Sequence, residues 1–125
     1  PGAIGYVELI YAVQNNIPYG VVQNKAGSFV KATLESTTAA AASAKMPPDF
    51  RVSIVNPPGK DAYPICSFTW LLIPQQSKDP AKGKVLNEFL NWMLDNGEGM
   101  TRDLTYAPLP KEVAEMVRTT IKTVH

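Results

Sequence analysis

The sequence predicts an α/β fold in which mixed sheets are flanked by helices. Three observations lead there. Short, β-rich apolar runs are interleaved with segments of helical periodicity, in the order β-α-β-(β)-α-β and then β-α-α. Proline, asparagine and glycine punctuate the boundaries between them. Apolar residues make up 45% of the 125 residues, and a chain of that length buries roughly two-thirds of its unfolded surface, enough for a core without covalent staples.

Each element has its own justification. Pro1-Gly2 is turn chemistry, and Ala3–Val7 is a short apolar run suited to a buried strand. Glu8–Asn16 carries Leu9, Ile10 and Val13 and closes on Asn15-Asn16 before Pro18, which predicts a short helix. Tyr19–Gln23 reads as a strand, Asn24–Gly27 as a turn, and Phe29–Val30 as its returning partner. Thr33–Ala44 predicts an alanine-rich helix with Glu35 in its first turn, where a carboxylate complements the helix dipole. Met46-Pro47-Pro48 ends it.

Arg51–Val55 alternates polar and apolar residues and predicts a half-buried strand, followed by a proline-rich polar loop over Asn56–Tyr63. Ile65–Ile73, β-branched and aromatic, is the most strand-like stretch of the chain. Asp79-Pro80 has the signature of an N-cap followed by the first helical residue. The helix that follows places Val85, Leu86, Phe89, Leu90 and Met93 on one apolar face, with Asn87 on the other, and Gly97 is expected to stop it. A helical turn is expected over Met100–Leu104, and Lys111–Thr123 predicts a last helix with Val113, Val117 and Ile121 along one side.

Composition excludes several classes. Twelve basic residues face eleven acidic ones, and the three arginines, Arg51, Arg102 and Arg118, are scattered. Nucleic-acid binding needs a clustered basic face, so none is expected. The single Cys66 cannot form an internal disulfide and sits in the apolar run ICSFTWLLI, so it reads as a buried structural residue. No apolar run is long enough to span a membrane.

The chemistry of an enzyme is not visible either. GxSxG, HExxH, CxxC and a glycine-rich phosphate loop are all absent from the sequence. Glu8, Asp61, Asp95 and Asp103 have no partner at a spacing that would pair two carboxylates. The hydroxyls of Ser36-Thr37-Thr38 have two readings, an anion site or back-bonding to helix carbonyls. Trp70 and Trp92 likewise read either as ligand-stacking rings or as core, with core favoured. No catalytic residue, metal ligand or cofactor is expected.

Four stretches read together carry a resemblance. PGAIGYVELIYAVQNN, DAYPICSFTWLLIPQ, VLNEFLNWMLDNGEGM and DLTYAPLPKEVAEMV resemble, in order and spacing, the periplasmic phosphate-binding proteins of bacterial phosphate ABC transporters. The resemblance implies a two-lobed type II periplasmic binding protein fold, of which this chain is the C-terminal part. Residues 1–62 would then belong to the second lobe, and 63–125 would supply a hinge strand and the C-terminal part of the first. It also implies that the family's phosphate ligands, an Arg with a following Ser-Gly-Thr among them, lie upstream of residue 1. None of them transfers onto a position here.

What does transfer is scaffold. Gly5 and Tyr6 are expected beside the ligand cleft, and Tyr63 and Pro64 beside the hinge crossing. Gly5 keeps a second reading as a plain turn or packing glycine. The implied function is capture of inorganic phosphate outside the cytoplasm and delivery to a membrane permease, with no reaction catalysed and with a missing N-terminal half, or another chain, covering exposed apolar faces. The periplasm, or another extracytoplasmic space, is the implied location. Two alternatives stand beside it: a binding protein for another oxyanion such as molybdate or sulfate, and a self-standing helical interaction domain.

Overall fold

The computed structural model describes residues 2–125. Its elements are α1 (Leu9–Gln14), β1 (Val21–Gln23), β2 (Phe29–Lys31), α2 (Leu34–Ala42), α3 (Pro80–Asp95), a 3-10 turn over Gly97–Met100, and α4 (Lys111–Ile121). Among the described residues the sheet is a single antiparallel hairpin, with Val22 opposite Val30. Pro1 of the expected opening turn lies outside the described residues, and Gly2 adopts φ +84°.

Local chemistry explains where the helices begin and end. α1 closes with Asn16 at φ +53°. The Asn16 amide donates to Val13 O and the Ile17 amide to Ala12 O. This pair of bonds around a left-handed Asn satisfies the last carbonyls of a helix. α2 starts on a capping box: Thr33 accepts from the Ser36 amide, and Ser36 Oγ accepts from the Thr33 amide. Asp79 caps α3 by accepting from the Ala81 and Lys82 amides, with Pro80 in the first turn. Asn96, with a negative φ, ends α3, and the chain passes at Gly97 into the 3-10 turn. The helical turn expected at Met100–Leu104 thus begins three residues earlier, and Thr101–Tyr106 continues as hydrogen-bonded turns.

Three expected strands do not form. Ala3–Val7, Arg51–Val55 and Ile65–Ile73 have no ladder partner among the described residues. The mixed sheets flanked by helices are therefore reduced here to one hairpin. The side-chain alternation is nevertheless present. Val52 and Ile54 turn inward while Arg51, Ser53 and Val55 face out, and Cys66 and Phe68 turn inward while Ile65, Ser67 and Thr69 face out. A strand needs both a pattern and a neighbouring backbone. The chain supplies the pattern, but the backbone bond between the residues that flank the last two runs, Asn56 N to Pro64 O at 2.8 Å, is not continued into them among the described residues.

Two apolar clusters result. In the first, Ala40 and Ala41 of α2 pack on Ile54, Ala62 and Cys66, with Ala44, Tyr63 and Phe68 against them. Small side chains on α2 let the irregular segments approach closely. In the second, α3 packs on α4 and on the 3-10 turn, burying Leu90, Val113 and Ile121, with Val117 half-buried beside them.

The expected phase of α3 is corrected by this packing. Leu90 is buried, and Leu86 and Met93 are half-buried, but Val85 and Phe89 are exposed. The side turned to α4 carries Gly83 and Asn87 instead. Asn87 Nδ2 donates to Ile121 O at 2.8 Å and to Val124 O at 2.9 Å. Gly83 is required there, because a Cβ would stand 2.7 Å from the backbone of His125. Trp70 and Trp92, expected in the core, are both about half exposed. The Trp70 indole lies edge-on to Phe68 and donates to Phe50 O, and Trp92 stacks on Phe89.

Candidate functional site

The four residues singled out from the sequence form two separate pairs. Gly5 and Tyr6 lie in the segment before α1, where the Tyr6 side chain is 100% exposed. A Cβ on Gly5 would meet nothing within 4 Å, so no close neighbour accounts for this glycine. Tyr63 and Pro64 lie at the edge of the first cluster. Pro64 is buried and Tyr63 half-buried, its amide donating to Ser36 O at 3.1 Å. Burial pushes the Tyr63 phenol above its ordinary range, and the nearby Cys66 adds to the rise. The structure does not bring Tyr6 to Tyr63, since a fully exposed ring touches neither.

A residue missed at the sequence level positions the second pair. Asn24, 5% exposed, sits in the hairpin turn and grips the 56–64 loop. Its Nδ2 is 3.1, 2.9 and 3.0 Å from the carbonyls of Gly59, Lys60 and Ala62. Its Oδ1 accepts from the amides of Ala26 and Ser28. Asn56 Oδ1 completes the clamp by accepting from the Lys25 amide at 2.8 Å. Gly59, at φ +138°, fits against Ser43, where a Cβ would come within 2.6 Å of Oγ. The loop that reads as a polar connection is therefore fixed by side-chain amides.

Several groups able to hold an anion are occupied by the protein itself. Two of the three arginines have a carboxylate beside them: Arg51 is 3.9 Å from Asp49 and Arg118 is 2.8 Å from Asp95, while the charge of Arg102 acts on Glu35 without an ion pair. At the start of α2, the Glu35 carboxylate accepts from its own backbone amide and from the Thr33 hydroxyl, and these, with Arg102, hold its pKa below the usual value. That helix N-terminus already holds an acid, and Asp79 fills the same role at α3. Such amides would otherwise be a ready phosphate seat.

The hydroxyls are also spent. Thr38 Oγ1 donates to Leu34 O at 2.9 Å, the back-bonding reading, whereas Ser36 Oγ lies 2.8 Å from Lys31 O of β2 and Thr37 Oγ1 faces the Cys66 thiol at 3.9 Å. The described residues also form open grooves. One of about 520 Å³ lies between the start of α3 and the chain's last residues, and contains Lys84 and Glu88, 3.9 Å apart. One of about 390 Å³ lies between α2 and Pro108, with Glu35 and Arg102 of opposite sign in its wall. Neither gathers unpaired positive charge. Among the described residues no three His, Cys, Asp or Glu side chains stand close enough to hold a metal ion, and no helix is long and apolar enough to cross a membrane.

The sequence comparisons show what the chain is similar to. No family model matches the chain. Against individual proteins, it is 40% identical to the phosphate-binding protein PstS of Xylella fastidiosa (strain Temecula1) over 118 residues, which cover 93% of this chain and 32% of that protein. It is 33% identical to the phosphate-binding protein PstS of Pasteurella multocida over 123 residues, covering 97% of this chain and 36% of the relative. The corresponding protein of Methanocaldococcus jannaschii is 33% identical over 93% of this chain. The resemblance carried by the four motifs is therefore borne out along nearly the whole chain. The chain spans about a third of the length of the curated relatives it matches.

Proposed function

We propose that this chain is the C-terminal part of a receptor that captures inorganic phosphate and delivers it to the permease of an ABC transporter. The observation that carries the reading is the 40% identity with a phosphate-binding protein over 93% of the chain. Engagement of Arg51 and Arg118 by carboxylates supports a division of labour in which the anion is held by groups outside these residues, because a desolvated phosphate needs uncompensated donors. The receptor performs no reaction and works in the periplasm or another extracytoplasmic space.

We further propose that the two clusters belong to the two lobes of a type II binding protein fold, residues 1–62 to one and 63–125 to the other, with Tyr63 and Pro64 at the crossing and Gly5 and Tyr6 beside the cleft. In favour of this, α3 and α4 pack on each other, while the Ile54-centred cluster reaches past Ala62 only to Tyr63, Cys66 and Phe68, the stretch at the crossing.

Calorimetry tests the function. The 125-residue chain alone should give no heat of phosphate binding. A full-length chimera, in which the chain replaces the matching 118 residues of the Xylella relative, should bind phosphate in preference to sulfate and molybdate. A folded chimera that does not bind phosphate, or tight phosphate binding by the chain alone, would overturn the reading.

A further inference from the structure

α3 is apolar on two opposite sides. One side, with Gly83, Asn87 and Leu90, is closed by α4. At 3.6 residues per turn, Val85, Phe89 and Trp92 fall within a stripe roughly 180° away. They are 64%, 52% and 45% exposed. Leu86 and Met93, half-buried, bridge the two sides, so the apolar arc covers more than half the circumference. A surface helix needs one apolar stripe, and a helix with this much apolar circumference is built to be covered from a second direction.

The stripe is also prepared for contact. Phe89 and Trp92 lie nearly parallel, with ring centroids 6.2 Å apart and planes 15° from each other, a broad flat apolar face. Its margin on one side is polar, where Lys84 pairs with Glu88. Aromatic anchors beside a polar margin are the anatomy of an interface. The occupant follows from length. The relatives align with 93–97% of this chain yet carry about two-thirds of their residues outside the match.

We propose that the Val85–Phe89–Trp92 face of α3 is the seat of the polypeptide that the relatives carry outside the shared third. This rests on the reading above, and names the surface by which this chain joins the rest of the receptor.

One substitution read in two contexts tests it. Phe89→Asp is exposed in the 125-residue chain and should move its melting temperature by less than about 2 °C. In the full-length chimera the same change puts a charge into a covered apolar contact and should lower the melting temperature by roughly 10 °C or more, or prevent folding. Val85→Lys should repeat the contrast, and Glu88→Gln on the polar margin should be neutral in both.

Equal effects in both contexts would overturn the proposal, as would a chimera that does not fold with Phe89 in place. A dimer of the 125-residue chain dissolved by Phe89→Asp, with the chimera unaffected, would give the face to a second copy. Phosphate binding is a separate readout. A chimera destabilised by Phe89→Asp but unable to bind phosphate keeps the docking face and discards the functional reading.

Discussion

The two apolar clusters solve the same problem with different materials. The one around α2 is built from alanines, one isoleucine and a cysteine, and what holds its irregular segments is a buried polar group, Asn24. The one between α3 and α4 is built from long side chains on regular helices, and about half of the surface of Phe89 and Trp92 is left outside. Irregular backbone has no internal ladder, so its carbonyls need partners from side chains. Helices satisfy their own backbone and need only apolar cover. The first cluster thus depends on hydrogen bonds and the second on volume and neighbours, and substitutions should separate the two.

The largest effect belongs to the second cluster. Leu90→Asp should cost on the order of 3 kcal/mol or more, because it buries an unpaired charge against α4. Denaturant melts measure it, and a cost below about 1 kcal/mol would mean that Leu90 is not the centre of the packing. Next comes the polar clamp. Asn24→Ala orphans the carbonyls of Gly59, Lys60 and Ala62 together with two turn amides, and should cost about 2 kcal/mol. It should also speed amide exchange over residues 56–64 while leaving α3 and α4 protected. Uniform loss of protection along the chain would erase the distinction between the clusters.

Much of this was legible beforehand. The cap Asp79, the start of a helix at Thr33, the Asn15-Asn16 stop, the hairpin turn and the buried Cys66 all follow from local chemistry that a sequence carries in adjacent residues. The inward alternation of Val52, Ile54, Cys66 and Phe68 is legible for the same reason. The missing ladders at 3–7, 51–55 and 65–73 are not, since a strand's partner is a tertiary fact. Asn24 escaped notice because a turn asparagine looks alike whether it faces solvent or three carbonyls. The face of α3 was misjudged because its apolar arc is too wide to have one direction. The candidate site was legible only through resemblance: nothing in the surroundings of Gly5, Tyr6, Tyr63 or Pro64 marks a ligand.

The corrected face of α3 makes the third prediction. Asn87→Asp replaces a donor with a carboxylate facing the carbonyls of Ile121 and Val124, and should cost about 1–2 kcal/mol. If Asn87 lay on a solvated face instead, the change would stay within about half a kcal/mol. The cost should shrink as the carboxyl is protonated at low pH, since a protonated acid can donate to one of the carbonyls again. A cost independent of pH between 3 and 7 would remove that explanation.

The smallest effect returns to the first cluster and reads its core by titration. Burial pushes the Cys66 thiol above its ordinary pKa, opposed in part by the Thr37 hydroxyl 3.9 Å away. A group whose pKa is higher folded than unfolded stabilises the protein fully below the unfolded value. That contribution fades as pH rises, because the unfolded chain gives up the proton first. Stability should therefore hold to about pH 8.5, where free thiols ionise, and decline above it. Tyr63, raised by burial in the same cluster, adds a second decline from about pH 10. Denaturation midpoints between pH 7 and 10 measure the first decline, and Cys66→Ala should flatten it, while the second should persist, lessened by the loss of Cys66 beside Tyr63. A slope that survives in Cys66→Ala would assign the loss to another group. A midpoint that rises with pH would mean that the thiol is not held protonated at all. Because the helical cluster holds no such group, amides of α3 and α4 should keep their protection across that range if the two clusters open independently, and lose it in step with the first if they do not.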